Sequence, residues 1–380
     1  MKVIIGLSGG VDSSVAALLL KQQGYEVEGC FMRNWDSALN NDQLGNPNSP
    51  EAICPQEQDY LDAKRVADQL DIRLIRHDFI QEYWDDVFRF FLDELAKGRT
   101  PNPDILCNKY IKFQAFIDIA RSLGADKIAM GHFARTRTNE KVELLRGVDA
   151  NKDQTYFLCQ LTQEQLKDTL FPVGHLTKAE VRKLAVSYGL ATAKKKDSTG
   201  ICFIGERRFS QFLSNYLPAK PGNIVTLNRV IIGRHDGLMN YTLGQRKGLR
   251  IGGDTRYSQE PWYVSGKDLT SNELFVVQGF HHDLLYSDRS LVKEINWISG
   301  NPPDSDIPMT AKFRYRQKDV EVSLESSSSG ETWVRYPSRA RAVTPGQACV
   351  FYQGDRCLGG GTIDMVFCGD ETRGGRLPNE

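Results

Sequence analysis

Apolar residues follow two rhythms along this 380-residue chain, and the rhythm changes a little past its middle. Residues 2–7 form a short apolar run that reads as a strand. Val15, Leu18 and Leu19 then recur at helical spacing between residues 13 and 23, with Gly24 where a glycine closes a helix. Residues 26–32 read as a second strand. Tyr60, Ala63, Ala67 and Leu70 make a helical stripe, and a strand follows at 73–79. Trp84, Val87, Phe91 and Leu95 mark a helix closed by Gly98. Phe113, Phe116, Ile117 and Ala120 mark another, closed by Gly124 and followed by a strand at 127–131. Thr177-Lys-Ala-Glu180 is a capping box that opens a helix running to about Tyr188. Strands alternating with helices predict an α/β unit, a parallel sheet covered by helices on both faces.

After residue 206 the helical period fades. A short helix at 209–216 precedes Pro/Gly punctuation and strands at 224–227, 230–233, 262–266 and 274–277. From about 281 the pattern is β alone. In 311–316 apolar residues alternate with basic ones, which predicts a half-buried strand with a positive outer face. Residues 326–330 read as a hairpin tip and Pro345-Gly346 as a turn. Short, evenly spaced strands predict a small barrel. The division expected is 1–206 α/β domain, 207–280 central adaptor domain of mixed or β structure, 281–368 C-terminal β-barrel, and 369–380 flexible polar tail.

Composition narrows the class. A hydrophobic content of 40% and a charged content of 25% are those of a soluble globular protein. No apolar run approaches the roughly 18–20 residues of a membrane helix, and the N-terminus reads as a first strand instead of a leader, so a cytoplasmic enzyme is expected. The eight cysteines contain no Cys-x-x-Cys pair, so ordinary zinc or iron–sulfur spacing is absent. Net charge is zero but unevenly spread. Residues 31–100 hold 8 Lys/Arg against 14 Asp/Glu, and residues 180–250 hold 13 against 4. Such asymmetry fits a polyanion-binding face, and it equally fits a solvated lysine surface.

Gly6-Leu7-Ser8-Gly9-Gly10-Val11-Asp12-Ser13-Ser14 lies between the first strand and the first helix. That placement offers free backbone N–H groups and the positive end of a helix dipole to a phosphate. The loop lacks the lysine of Gly-Lys-Ser/Thr and is not Gly-x-Gly-x-x-Gly, which disfavours γ-phosphoryl transfer and dinucleotide binding. Ser8-Gly-Gly-Val-Asp-Ser13 resembles the pyrophosphatase loop of ATP-dependent adenylating enzymes. The resemblance implies ATP and Mg²⁺, cleavage between the α- and β-phosphates, and an adenylated substrate. It implies ATP contacts at Gly6, Leu7, Ser8, Gly9, Gly10, Val11, Asp12 and Ser13, with Met32 and Gly131 beside them.

Five further segments carry a narrower likeness. They are Asn102-Pro-Asp-Ile-Leu-Cys-Asn108, Met130-Gly-His-Phe-Ala-Arg135, Lys152-Asp-Gln154, Asp197-Ser-Thr-Gly-Ile-Cys-Phe-Ile-Gly-Glu-Arg207 and Tyr241-Thr-Leu-Gly-Gln-Arg-Lys-Gly-Leu249. Together they resemble the tRNA-specific 2-thiouridylases of bacteria over about residues 1–368. The residue types suit that chemistry. Replacing a carbonyl oxygen by sulfur needs an activated oxygen, a sulfur carrier and a second thiol to release the sulfur. The resemblance implies a persulfide on Cys202, Cys107 as the nucleophile or resolving cysteine, a redox disulfide between the two, and Asp104 as acid/base. Taken alone, Asp104 reads as well as a helix cap, and a lone cysteine reads as a buried apolar residue. The implied substrate is the wobble uridine of the tRNAs for lysine, glutamate and glutamine. Contacts to it are expected from Asn102, Pro103, Asp104, His132, Lys152, Asp153, Gln154, Arg314, Tyr315 and Gln347, and the sulfur is expected from a donor protein, a cysteine desulfurase or a relay protein. The rival readings are an amide-forming synthetase with the same loop and a tRNA-binding protein without turnover.

Overall fold

The computed structural model describes residues 1–42, 55–197, 209–252, 256–304, 307–327 and 330–374. Its first sheet is built from β1 (Lys2–Gly6), β2 (Glu26–Arg33), β3 (Leu74–Asp78) and β4 (Lys127–Ala129). A hairpin of β5 (Ala134–Thr138) and β6 (Val142–Arg146) then leaves the sheet, and β7 (Thr169–Leu170) returns to it. All its pairings are parallel, in the spatial order β3-β2-β1-β4-β7. The chain moves one way from β1 to β3 and the other way from β1 to β4. This reversal leaves a crevice at the carboxyl ends of β1 and β4, where open α/β sheets bind ligands.

The apolar run in β1 is continuous because both faces of the sheet are covered. Val3 and Ile5 pack with α1 (Val11–Gln22) and α2 (Pro55–Leu70) in one core. Ile4 packs in the other, with Phe88, Phe91, Ile111 and Phe116 from the helical stretches 80–96 and 103–122. Each of those stretches contains a π segment, Trp84–Phe88 and Cys107–Ala115. The apolar stripe at 113–120 therefore belongs to a helix that starts earlier, at Pro103.

The central unit is a four-stranded sheet of β8 (Gly222–Val225), β9 (Ile231–His235), β10 (Trp262–Asp268) and β11 (Glu273–Gln278), in the order β10-β11-β8-β9. The third unit comprises β12 (Tyr286–Trp297), β13 (Met309–Lys312), β14 (Val320–Ser326), β15 (Thr332–Arg341), β16 (Ala348–Gln353) and β17 (Arg356–Cys368). They run β12-β15-β14-β13-β16-β17, and β17 pairs back onto β12, which closes a six-stranded barrel.

Three features differ from the sequence expectation. The hairpin β5–β6, which lies in sequence within the α/β domain, joins the barrel sheet through Leu144 and Leu145 opposite Cys357 and Arg356. The strand expected over 311–316 ends at Lys312, and Arg314–Arg316 lie in the turn after it, with Arg316 at φ 64°. Part of the expected flexible tail is built into the fold: Glu371–Thr372 pairs with β17 and Gly374 bridges Gly266.

Candidate active site

The loop after β1 turns sharply into α1. Gly9 sits at φ 71°, and a Cβ there would collide with the carbonyl oxygen of Asp59 in α2. Gly10 caps α1 without a side chain, so no capping side chain takes up the first N–H groups of the helix. Ser13 Oγ accepts from the Ser8 N–H at 3.2 Å and donates to the Gly10 carbonyl at 3.1 Å, and Ser14 Oγ donates to the same carbonyl at 2.8 Å. The loop after β4 closes against this turn. A Cβ on Gly131 would lie 2.7 Å from the Ser13 nitrogen, and one on Gly6 would lie 2.7 Å from Met130 Sδ and 2.8 Å from Met32 Cε. The structure thus gathers Gly6, Ser8, Gly9, Gly10, Asp12, Ser13, Met32 and Gly131 at the carboxyl ends of β1 and β4, whereas Leu7 and Val11, also expected there, are buried in the core with Val3 and Ile5.

The loop carries no cation, and the fold brings one to it. Lys178, almost fully buried at the start of the helix Lys178–Ser187, places Nζ 2.6 Å from Asp12 Oδ1. Burial raises the Asp12 carboxyl above its ordinary pKa, against the pull of Lys178. The same Nζ is 2.9 Å from Asp197, which also meets Lys152 at 2.7 Å and Arg182 at 2.5 Å. Partial burial alone would raise the Asp197 pKa, but the hydrogen bonds from Lys152 and Lys178 hold it well below the usual carboxylate range. Sequence reading missed Lys178, because in the sequence it is only the residue after a helix cap.

Asn102 accepts the Asp104 N–H at 3.1 Å and so caps the helix that leads to Cys107, with Pro103 in its first turn. The cap considered for Asp104 therefore belongs to Asn102. Cys107 is buried and opens the π segment, a distortion that recurs at functional sites. Just upstream, the other two units converge on Thr100. Its Oγ1 donates to Thr242 Oγ1 at 3.0 Å, its N–H donates to the Pro345 carbonyl at 3.0 Å, and its carbonyl accepts from Gln347 Nε2 at 2.6 Å. Arg99 bonds Asp364 at 2.7 Å. The turn bearing Gln347 and the segment bearing Asn102 are thus adjacent although 245 positions separate the two residues.

Several expected tRNA contacts have structural work in this arrangement. Asp153 is buried and accepts from the N–H groups of Gly147 and Thr155, each at 3.2 Å, and Gln154 Oε1 accepts the Phe133 N–H at 2.9 Å. Arg314 turns inward and donates to the Leu243 carbonyl and Thr344 Oγ1, both at 2.7 Å. Lys312 lies 3.7 Å from Asp319. The positive outer face expected at 311–316 is therefore not formed by these two side chains. Tyr315 packs on Phe157 with ring centroids 4.5 Å apart. His132 is half-buried between Phe113 and Phe171, and Nδ1 has no hydrogen-bond partner among the described residues. Burial, then repulsion from Lys112, push its pKa well below the ordinary value, so the ring is neutral at pH 7.

Cys202 and the expected Cys107–Cys202 disulfide lie outside the described residues, as does Cys54. Burial pushes the Cys30 and Cys159 thiols up to about 12 and raises Cys349 and Cys357 as well, which keeps all four protonated and inert. Cys368 is half-exposed, with Arg339 Nη2 2.9 Å from its Sγ. Among the described residues there is no cluster of three or more His, Cys, Asp or Glu that could hold a metal, and no helix long and apolar enough to cross a membrane.

Known proteins match this layout along its length. Three domain models fit in succession, described as the tRNA methyl transferase HUP domain over residues 1–206, the tRNA methyl transferase PRC-barrel domain over 210–278 and the aminomethyltransferase beta-barrel domain over 287–363. Full-length relatives carry a different name. The tRNA-specific 2-thiouridylase MnmA of Lacticaseibacillus paracasei is 56% identical over 369 residues, covering 97% of this chain and 95% of that protein. That of Acholeplasma laidlawii is 56% identical over 373 residues, covering 98% of each. That of Listeria innocua is 55% identical over 368 residues, covering 97% of this chain and 95% of that protein. A match of this depth over almost the whole of both chains specifies more than a domain title does, and the chain belongs to the tRNA-specific 2-thiouridylase family.

Proposed function

We propose that this chain uses ATP to replace the 2-oxygen of the wobble uridine in the tRNAs for lysine, glutamate and glutamine by sulfur, in the cytoplasm. The observation that carries the reading is the serine-rich loop without a lysine, set at a helix N-terminus in the crevice between β1 and β4, in a chain of this family. Uridine O2 attacks the α-phosphorus of ATP and pyrophosphate leaves; the N–H groups of α1 and the Ser8 and Ser13 hydroxyls suit the departing phosphates. The terminal sulfur of a Cys202 persulfide, charged by a cysteine desulfurase or relay protein, attacks C2, and AMP departs with the oxygen. The Cys107 thiolate then attacks the Cys202 sulfur, which forms the Cys107–Cys202 disulfide and frees 2-thiouridine. A dithiol reductant returns both cysteines to thiols.

Asp104 is the acid/base candidate beside the base. Asn102 and Pro103 fix its position by starting the helix, and Lys152, Asp153, Gln154, His132, Arg314, Tyr315 and Gln347 are assigned to the tRNA side. The internal bonds of Asp153, Gln154 and Arg314 make these three organisers of the tRNA surface instead of phosphate ligands. Asp12 and the loop hydroxyls are hard oxygen donors, a set that fits Mg²⁺, which is commonly held by one or two carboxylates plus substrate phosphates and would neutralise charge on the latter. The test is a reconstituted reaction with ATP, tRNA and a persulfide donor, read by nucleoside mass spectrometry. AMP, pyrophosphate and 2-thiouridine are expected in equal amounts, and Cys107→Ser and Cys202→Ser each abolish the thiouridine. ADP as the main nucleotide product, or thiolation that survives both substitutions, overturns the reading.

A further inference from the structure

One carboxylate ties together three separate parts of the molecule. Asp197 contacts Lys152 Nζ at 2.7 Å, Lys178 Nζ at 2.9 Å and Arg182 Nη2 at 2.5 Å. Lys178 in turn contacts Asp12 Oδ1, in the first turn of α1, at 2.6 Å. Lys178 and Arg182 are four residues apart, one turn of the same helix, so both reach Asp197 from one face. We propose that Asp197 is a positioning residue which, through Lys178, couples the nucleotide loop to the Lys152 segment, so that events at one are felt at the other. This rests on the reading of the loop as the ATP site and of Lys152 as a tRNA contact.

The physical basis is competition for a shared charge. Three cations face Asp12 and Asp197, a third carboxylate, Asp149, accepts the Lys178 backbone N–H at 2.9 Å, and Lys178 is buried where solvent screens poorly. Lys178 divides its ammonium between Asp12 and Asp197. Whatever strengthens its bond to one weakens its bond to the other. When Lys178 is drawn toward the loop, Asp197 is left to Lys152 and Arg182, and Lys152 is held more firmly away from an RNA phosphate. When Lys178 turns fully to Asp197, Lys152 is released. Linkage makes the effect reciprocal: a phosphate that takes Lys152 from Asp197 draws Lys178 toward Asp197 and loosens its bond to Asp12.

The experiment is a pair of double-mutant cycles read by equilibrium binding of tRNA, which needs no turnover. Lys178→Met leaves Asp197 to Lys152 and Arg182, and a rise in the tRNA Kd of about fivefold or more is expected. Asp12→Asn frees Lys178 for Asp197, and a change of opposite sign is expected. Both shifts should disappear in an Asp197→Asn background. Because the two cycles enter from opposite ends, either one suffices if circular dichroism shows that the other variant has not folded. Shifts of equal size with and without Asp197, as a general loss of positive charge would give, overturn the proposal, as does an unchanged Kd. If the unaltered chain fails to bind tRNA at all, the functional reading itself fails; additive cycles in a chain that binds tRNA sink only the coupling.

Discussion

Gly9 and Gly131 are constrained for different reasons. Gly131 has no room, since a Cβ would lie 2.7–2.9 Å from the backbone of Asp12 and Ser13. Gly9 has neither room nor a permissive conformation, because φ 71° costs an L-residue roughly 1–2 kcal/mol before any contact with Asp59 is counted. Gly9→Ala is therefore expected to lower stability by about 2 kcal/mol or more and to raise the KM for ATP, since relief of the clash moves the loop away from α2. Thermal denaturation and initial-rate kinetics would check it, and a variant with unaltered Tm and KM would contradict the loop geometry. The glycines were legible in the sequence. What crowds them was not, because the colliding groups come from α2 and from the loop after β4.

At the scale of elements, the basic run at 194–196 divides. Lys195 is held by Asp59 at 2.6 Å and Asp62 at 2.5 Å on α2, whereas Lys194 and Lys196 are exposed. Paired cations release few counterions when RNA arrives; exposed ones release more. Charge reversal at Lys194 or Lys196 should flatten the slope of log Kobs for tRNA against log salt by about 0.7–0.9 for each phosphate left without its cation. Reversal at Lys195, or removal of Arg314, should weaken binding only through the fold and leave the slope unchanged. A flattened slope in Arg314→Ala would return that side chain to the phosphate surface. The alternation of apolar and basic residues at 311–316 could not separate these cases, because it reports which residues leave the core and not whether a neighbouring unit receives them. Leu243 and Thr344 receive Arg314.

Across the whole molecule, the central unit meets the α/β unit through a buried amine. Lys267 on β10 donates to the Gly98 carbonyl at 2.9 Å, and burial lowers its pKa to about 8. A depressed lysine pKa means that the unfolded chain binds more protons between about pH 8 and pH 10.5. Stability contributed by this group should therefore rise with pH through that window, by about 3 kcal/mol at most, and be absent below it. Urea denaturation at pH 7 and pH 10 should show the rise in the unaltered chain and lose it in Lys267→Met. An identical rise in both would assign it to other groups. The cavity beside this contact, about 310 Å³, is lined by all three units, among them Arg99, Leu243, Lys267 and Thr344.

The sequence by itself determined the α/β alternation, the change to β structure after residue 206, the glycine-rich loop and its place between a strand and a helix. These are local properties, written in periods of 2 and 3.6 and in residues with special backbone freedom. Only the tertiary structure decided that Lys178 neutralises Asp12, that Gln347 lies against Thr100, that the hairpin β5–β6 extends the barrel, and that Arg314 faces inward. Each of these pairs is separated by 30 or more positions, and a charged or amide side chain carries no mark of the partner it will meet. The partner is chosen by how sheet and barrel pack, and that packing is fixed by buried apolar residues that take no part in the chemistry.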